Sequence, residues 1–220
     1  MRYYPIFLDI KDKPCVVIGG GKVAERKVLS LLDAGARVVV ISPRVTPTLK
    51  RLVSKKEITH CPKAYESGDL KGFTLAYSAT DSKTVSQRVY EEAKREGILL
   101  NVVDAPGLCS FIVPSLVERG DLLIAISTSG KSPAMAKRLR KKLELEFGDE
   151  YQVFLRLMGV VRDKLLKKAR ESAKNKRVFE KLVDSPLLSW IRGGKKRDIN
   201  RLLKKTLGSE FTLSRLKVKI

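Results

Sequence analysis

The stretch CVVIGGGKVA at residues 15–24 decides the fold of the chain. Its apolar run leads directly into three glycines, which is typical of a buried parallel strand that ends in a tight turn. Apolar residues then follow at helical spacing, among them Val23, Val28 and Leu31, and Gly35 stands where that helix is expected to end. Strand, glycine turn and helix in this order predict the first unit of an open α/β sheet.

Further strands and helices alternate along the first half of the chain. Four more strand-like segments lie at residues 37–41, 57–61, 73–78 and 98–103. Helices are predicted between them at residues 46–55 and from an N-cap at Asp81 to Arg95, where Gly97 follows. This order predicts a Rossmann-type parallel sheet with helices on both faces, formed by residues 1–113.

The pattern changes after that sheet. Strand-like residues 110–116 and 122–127 flank a Gly-Asp turn signal, which predicts a β-hairpin. Ser132 and Pro133 are residue types preferred at a helix start, and that helix is expected to reach Phe147. Later helices are predicted at 151–171, 175–183 and 197–207. We therefore expect three parts, namely a Rossmann domain at 1–113, a hairpin-plus-helix segment at 114–147 and a small basic helical domain at 148–220.

The chain is strongly basic, and the charge is unevenly distributed. Its 220 residues carry 45 Lys and Arg against 24 Asp and Glu, a net charge of +21. Residues 131–220 alone hold 26 basic and 10 acidic residues. Such an excess predicts an anionic partner, which can be a nucleic acid, a polycarboxylate small molecule or an acidic protein. A Lys- and Arg-rich surface of the thermophile type, without a specific partner, is the alternative.

Several classes of protein do not match this composition. No apolar run has the roughly 20 residues needed to span a bilayer, and residues 1–10 lack the features of a signal peptide, so we expect a cytoplasmic protein without a membrane partner. Cys15, Cys61 and Cys109 match neither a disulfide framework nor a zinc motif. Because His60 is the single histidine, we also expect no metal site and no catalytic triad.

The glycine turn has the residue types that a dinucleotide requires between a strand and a helix. Gly19 permits the tight turn, Gly21 lets the backbone approach a pyrophosphate, and Ala24 lets helix and strand pack closely. The alternative is a tight turn that binds no ligand. The predicted cofactor-binding residues here are Gly19, Gly20, Gly21, Lys22, Val23 and Ala24.

The end of the second strand lacks the acidic residue that usually holds the ribose of NAD. The chain has Ser42-Pro43-Arg44 there instead. Ser42 can bond a ribose and Arg44 can pair with a 2′-phosphate, so these residues alone slightly favour NADP. Alternatively, Arg44 simply lies in solvent before the next helix, and the choice of cofactor stays open at this point.

A carboxylate follows the fifth strand. Asp104 lies in NVVDAPG at residues 101–107, and ligands of open α/β sheets bind beyond the carboxyl ends of the strands. With His60 as the single imidazole, Asp104 is the best-placed candidate for a general base. The alternative is an aspartate that merely opens a Pro-Gly turn.

A second loop offers hydroxyls and amides to an anion. Ser127, Thr128 and Ser129 precede the helix that begins near Pro133. The sequence around Lys131 is not a P-loop, because the motif requires glycine at position 125, where the chain has alanine. The alternative is a loop that only starts the helix.

Five motifs have the order and spacing that resemble those of precorrin-2 dehydrogenases, which occur as the N-terminal module of siroheme synthase and as free-standing enzymes. They are PIFL at 5–8, GGGKVAERK at 19–27, ATD at 79–81, NVVDAP at 101–106 and SFIVPS at 110–115. The resemblance covers roughly residues 1–147. Because no methyltransferase module follows, we expect the free-standing form.

This resemblance implies an NAD-dependent oxidation of precorrin-2 to sirohydrochlorin on the way to siroheme. Asp104 corresponds to the family's essential aspartate, which is implied to be the base that accepts a proton. Further implied cofactor contacts are Lys22, Val23, Pro43, Arg44 and Thr80, and the implied cofactor is NAD, so the leaning towards NADP is set aside. The hairpin and its following helix match the family's dimerisation segment, which implies a homodimer.

The basic second half suits a polycarboxylate tetrapyrrole as substrate. The residues expected to bind it are Ser127, Thr128, Ser129, Lys131, Lys137, Arg138 and Arg140. In some members of the family the essential aspartate also serves iron insertion, so a bifunctional dehydrogenase and ferrochelatase is the first alternative. A redox-sensing nucleic-acid binder is the second, although residues 148–220 show no helix-turn-helix pattern and few aromatic residues to stack on bases.

Overall fold

The computed structural model describes residues 3–168 and 172–220. Contacts divide the chain into two compact units, Met1–Val113 and Pro114–Ile220. Among the described residues, no helix combines the length and the hydropathy that a membrane span requires.

The first unit is built on a five-stranded parallel sheet, as the sequence predicts. Its strands are β1 (Pro14–Ile18), β2 (Arg37–Ile41), β3 (Ile58–Cys61), β4 (Leu75–Ser78) and β5 (Leu99–Val102), in the order β3-β2-β1-β4-β5. Its helices are α1 (Lys22–Asp33), α2 (Pro47–Ser54) and α3 (Lys83–Glu96). The strand order reverses direction between β1 and β4, and the carboxyl ends of those strands are the usual ligand position of such a sheet.

Strand β1 is apolar throughout because both of its faces are covered. Cys15 and Val17 belong to one core cluster, together with Ala24 and Val28 of α1. Val16, with Ile18, belongs to a second cluster on the opposite face. This alternation explains why a period-2 pattern is absent from the central strand.

Local capping explains where the helices begin and end. Ser82, with an extended backbone, caps α3 because its hydroxyl accepts a hydrogen bond from the Val85 amide. The predicted N-cap, Asp81, is therefore wrong by one residue. Gly35 and Gly97 both have positive φ, at 75° and 69°, and they follow α1 and α3 as predicted.

The second unit begins with an antiparallel hairpin and continues as helices. The hairpin strands are β6 (Ser115–Arg119) and β7 (Leu122–Ile126), and the helices are α4 (Pro133–Glu146), α5 (Glu150–Lys168), α6 (Ser172–Val183), α7 (Leu187–Arg192) and α8 (Lys196–Leu207). Ser132 caps α4 as predicted, since its hydroxyl accepts from the Met135 amide. The part of the predicted helix 151–171 after Lys168 lies outside the described residues.

Two predictions for this unit are wrong. The first hairpin strand was expected at residues 110–116, but it begins at Ser115, and Ser110 and Phe111 are instead bound to β5 of the first unit. There the hydroxyl of Ser110 accepts from the Leu100 amide, and Asn101 donates to the carbonyl of Phe111. Helix α7 was not predicted, because six residues between Pro186 and Gly193 are too few to show a helical period.

The helices of the second unit have an apolar core of their own. Leu157 and Val161 of α5 are fully buried against Leu182, Leu203 and Phe211. At the start of α5 the buried Glu150 accepts a hydrogen bond from Arg192, and chiefly this bond holds the pKa of the Glu150 carboxyl below its usual value. The ion pair therefore fixes α7 to α5.

A buried carboxylate fixes the connection between β3 and β4. Glu92 of α3 is 1% exposed and accepts hydrogen bonds from the Tyr65 hydroxyl and from the amides of Gly68 and Leu70. Burial raises the pKa of the carboxyl, but these three bonds outweigh it and hold the pKa below its usual value. Glu92 thus replaces the secondary structure that this connection lacks.

Replacing Glu92 with glutamine should destabilise the first unit by about 1–3 kcal/mol, because an amide loses the charge-assisted bonds. The matched control is Glu91→Gln on the exposed side of the same helix, with an expected change within about 0.5 kcal/mol. Chemical denaturation measures both. Because the folded pKa is lowered, the difference between wild type and Glu92→Gln should shrink only below about pH 4, and a difference that is absent at pH 7 would contradict this role.

Candidate functional site

The loops that follow β1, β2, β4 and β5 open at one edge of the sheet, because the strands are parallel. The glycine loop begins at Gly19, directly after β1. Ser42 follows β2, Thr80 comes two residues after β4, and Asp104 comes two residues after β5. The structure therefore places the candidate residues of the first unit at the reversal of strand order, where dinucleotides bind in such sheets.

Gly19 and Gly20 are in close contact with the neighbouring loops. Gly19 has a φ of 118°, and a Cβ atom there would overlap the carbonyl oxygen of Ala79. A Cβ atom on Gly20 would overlap the carbonyl oxygen of Arg44. The Thr46 amide also donates to the Gly20 carbonyl at 3.0 Å. These glycines hold three loops together, a role of Gly20 that the sequence analysis missed.

Gly21 has open space beside it, whereas Gly19 and Gly20 are crowded. Its φ is −81°, and a Cβ atom there would meet no atom within 4 Å. Helix α1 begins at Gly21 without a side-chain cap, whereas Thr46, Ser82 and Ser132 cap α2, α3 and α4. Open space beside an uncapped helix start fits the pyrophosphate of a dinucleotide, which takes its hydrogen bonds from such amides.

The residues after Gly21 differ in how far they are buried. Ala24 is fully buried in the core below the turn. Val23 is half-buried, and Lys22 is exposed beside Glu25, with an ion pair of 3.2 Å. Glu25 also accepts from the Thr46 hydroxyl, and this bond, assisted by Lys22, holds the pKa of the Glu25 carboxyl below its usual value. Glu25, which the sequence analysis did not select, thus connects α1 to the start of α2.

The turn after β2 is held by a hydrogen bond between two of its own residues and by a contact with β3. The Ser42 hydroxyl donates to the carbonyl of Arg44 at 2.8 Å, so its proton is engaged and it offers a ribose an acceptor only. His60 contacts the Ser42 carbonyl through Nε2 at 2.8 Å. Pro43 and the Arg44 side chain are exposed beside the glycine loop and are accessible to a ligand.

Asp104 is exposed and has a left-handed backbone, with a φ of 59°. Among residues other than glycine, aspartate is one of the few that adopt this conformation readily, and unusual backbone angles often mark functional positions. The turn is fixed from below, because the Cys109 thiol bonds the carbonyls of Val102 and Ala105. Its carboxylate is therefore carried on a fixed turn and is free to meet a substrate.

Thr80 lies beside the glycine loop at the end of β4. It is half-buried, and its hydroxyl accepts from the Ser82 amide at 3.3 Å. A Cβ atom on Gly19 would lie 3.4 Å from the backbone nitrogen of Thr80. The structure thus brings Thr80 next to the predicted cofactor-binding residues.

The candidate substrate residues lie in the second unit. In the loop before α4, the Ser127 hydroxyl accepts from the Ser129 amide and the Thr128 hydroxyl accepts from the Ser132 amide. These bonds shape the loop and leave the hydroxyl protons available to an anion. The exposed cations are Lys131, Lys137 and Arg138, while Arg140 is half-buried and pairs with Glu144. Arg140 is therefore the weakest of the predicted substrate cations.

No metal centre is evident in the part of the chain that the structure describes. Neither residues 3–168 nor residues 172–220 contain a group of three or more His, Cys, Asp or Glu residues arranged to hold an ion. Cys15, Cys61 and Cys109 are all free thiols.

A family model for NAD(P)-binding domains matches residues 6–115, which is half of the chain. The chain belongs to this NAD(P)-binding family. A second model, described as the central part of a sirohaem biosynthesis protein, matches residues 119–144. The NAD(P)-binding model indicates that the cofactor of this chain is a nicotinamide dinucleotide.

Curated relatives and a solved structure extend the similarity. The chain is 36% identical over 214 residues to siroheme synthase from Vesicomyosocius okutanii, covering 96% of this chain and 46% of the relative. It is 45% identical over 144 residues to siroheme synthase from Methylobacillus flagellatus, covering 66% of this chain and 31% of the relative. The chain thus spans less than half the length of these relatives. The structure of SirC, precorrin-2 dehydrogenase, matches with a TM-score of 0.78 at 23% identity, over 92% of this chain and all of the other.

The neighbouring positions Gly20 and Gly21 give a matched pair of alanine variants. Gly20→Ala should destabilise the first unit, because its methyl group overlaps a backbone carbonyl that is held in place. Gly21→Ala should melt within a few degrees of the wild type, yet bind NADH at least about tenfold more weakly, because its methyl group fills the space beside the helix start.

Thermal unfolding followed by circular dichroism and NADH binding followed by fluorescence separate the two effects. If Gly21→Ala bound NADH as the wild type does, the dinucleotide would lie elsewhere.

Proposed function

We propose that this chain catalyses the dehydrogenation of precorrin-2 to sirohydrochlorin with NAD, as a step of siroheme biosynthesis. The observation that carries this proposal is the position of Asp104. Its exposed carboxylate lies on the same edge of the sheet as the open space at Gly21. The names of the siroheme synthase relatives and the precorrin-2 dehydrogenase structure support the same reaction.

The first unit holds the cofactor through its backbone. Amides of Lys22 and Val23, at the uncapped start of α1, bind the pyrophosphate beside Gly21. Pro43 and Arg44, exposed after β2, would contact the adenosine half, and Thr80 would contact the cofactor from the loop after β4. We assign NAD rather than NADP because Lys22, Val23, Pro43 and Arg44 correspond to the NAD-contacting positions of the family. When bound, the nicotinamide supplies the acceptor for a hydride.

Asp104 acts as the general base. Dehydrogenation removes two electrons and two hydrogens from precorrin-2, one leaving as hydride and the other as a proton. Asp104 accepts that proton at a carboxylate oxygen, which its exposed position on a fixed turn permits. The hydride goes to NAD, so the products are sirohydrochlorin, NADH and a proton released to solvent after turnover.

The second unit attracts the substrate. Precorrin-2 is a polycarboxylate, and the exposed cations Lys131, Lys137 and Arg138 give the region around α4 a positive field. Hydroxyls of Ser127, Thr128 and Ser129 add donors to carboxylate oxygens. Arg140 contributes less, because Glu144 already neutralises it.

We also propose a homodimer, formed through the hairpin and α4. Leu116 and Leu123 lie on the outward face of the hairpin and are 40% and 39% exposed. On α4, Met135 is 49% and Leu145 is 88% exposed, and Ala136 is the only buried residue of that helix. A two-stranded hairpin is marginally stable alone, so a second copy covering this apolar face would stabilise it.

A cytoplasmic location is consistent with this function. All three cysteines are free, including Cys61 and Cys109, which are only half-buried. Free thiols persist in a reducing compartment. We therefore place the enzyme in the cytoplasm.

Replacing Asp104 with asparagine should lower kcat at least about 100-fold, because a general base typically contributes that much or more. The matched control is Asp33→Asn, an exposed carboxylate at the end of α1, which should retain wild-type kcat. Anaerobic assays with precorrin-2 and NAD, followed by NADH absorbance, measure both variants. Affinity for NADH should be unchanged in either. A kcat for Asp104→Asn within twofold of wild type would remove Asp104 from the role of base.

The dimer proposal has its own test. The double variant Leu116→Glu, Leu123→Glu should be monomeric, because it buries two carboxylates in the proposed interface. Leu166→Glu is the control, since Leu166 is 56% exposed on α5, outside the hairpin. Sedimentation equilibrium should show a dimer for the wild type and for the control. If the wild type is monomeric at micromolar concentration, the exposed apolar face has another partner.

A further inference from the structure

A lysine of helix α1 lies against an aromatic ring of the sheet in the first unit. Lys27 is the sixth residue of α1, and its ammonium lies 5.1 Å from the centre of the Tyr77 ring. Tyr77 of β4 is 7% exposed, and the Phe111 ring packs edge-on against it at 5.7 Å. The lysine is half-buried.

The charge of Lys27 is not balanced within the part of the chain that the structure describes. Among residues 3–168 and 172–220 no carboxylate forms an ion pair with it. The Tyr77 ring lies beside its ammonium, and burial, followed by the like charge of Arg26, lowers the pKa of that ammonium. A partly desolvated ammonium without a counter-charge is unfavourable, so its position indicates an anion supplied from outside this set.

The location of the ammonium relates it to the proposed catalytic turn. Side chains of a helix lean towards its N-terminus, and α1 begins at the carboxyl edge of the sheet, so Lys27 extends towards that edge. Tyr77 pairs in register with Asn101, three residues before Asp104. The turn that carries Asp104 is held by the Cys109 thiol, which bonds the carbonyl of Ala105, directly after Asp104.

We propose that Lys27 binds a carboxylate of the tetrapyrrole substrate and orients the ring system beside Asp104. This inference rests on the proposed function. The anion is assigned to the substrate because Lys27 lies over Tyr77 of β4, whose ring packs against Phe111 of the chain after β5 and whose register partner, Asn101, shortly precedes Asp104. The pyrophosphate has a separate place at the open side of Gly21. Lys27 is thus a substrate-binding residue that the glycine motif, in which it is the last residue, does not reveal.

The test compares Lys27→Met, which keeps the length of the stem, with Lys27→Arg and with Arg26→Met. Arg26 is an exposed cation one position earlier on the same helix, and it is the matched control. In the anaerobic assay, Lys27→Met should raise KM for precorrin-2 about tenfold, as expected for one charge-assisted hydrogen bond. KM for NAD should stay within twofold. Lys27→Arg should recover most of the loss, and Arg26→Met should behave as the wild type.

A binding measurement keeps this inference separate from the proposed function. Sirohydrochlorin, titrated anaerobically without NAD and followed by absorbance, should bind Lys27→Met about tenfold more weakly than wild type. Unchanged binding and KM would overturn the role of Lys27 and leave the dehydrogenase intact. A rise in KM for NAD instead would assign Lys27 to the dinucleotide. Weaker binding by Lys27→Met, with no turnover by wild type, would overturn the dehydrogenase alone, while a wild type that does not bind the tetrapyrrole would overturn both. Thermal unfolding shows whether each variant is folded.

Discussion

The first unit depends on the close approach of backbones at Gly19 and Gly20. No side chain fits at either position, because the carbonyl oxygens of Ala79 and Arg44 occupy the space that a Cβ atom would need. This contact brings the loops after β1, β2 and β4 together at the reversal of strand order. It also directs Gly21 outwards, so one crowded turn provides both a rigid base and an open surface for a ligand.

The turn after β5 contributes the carboxylate on which the proposed function depends. The turn after β5 carries Asp104 on a left-handed backbone, and the Cys109 thiol holds that turn from below. The open space at Gly21 and an exposed carboxylate at one sheet edge suit a dehydrogenation that needs a hydride acceptor and a base. Lys27, for which we propose a role in binding the substrate, forms no ion pair with a carboxylate in the part of the chain that the structure describes. These groups have different chemical tasks, which explains why they come from different loops.

Sequence periodicity was sufficient for the sheet but not for every connection. Strand β1 could be predicted because burial on both faces requires a continuous apolar run, and Gly35 and Gly97 could be predicted as helix ends because positive φ favours glycine. The start of the first hairpin strand could not be predicted, because tertiary hydrogen bonds from Ser110 to β5 replace strand pairing there. Similarly, the contact of Gly20 with Arg44 joins residues far apart in sequence. In the site, the contact of Glu25 with Thr46 was missed because charged residues on a helix usually indicate only a solvated face.

The measurement that tests the central claim most directly is the stoichiometry of the reaction. Purified protein, enzymatically prepared precorrin-2 and NAD are mixed without oxygen, and the absorbance of NADH and of sirohydrochlorin is followed in the same cuvette. The account predicts that the two products appear in equal amounts and at equal rates, and that NADP supports a much slower reaction. Absence of NADH with NAD and of NADPH with NADP, from folded protein that binds the tetrapyrrole, would contradict the assignment of this sheet edge as a dehydrogenase site.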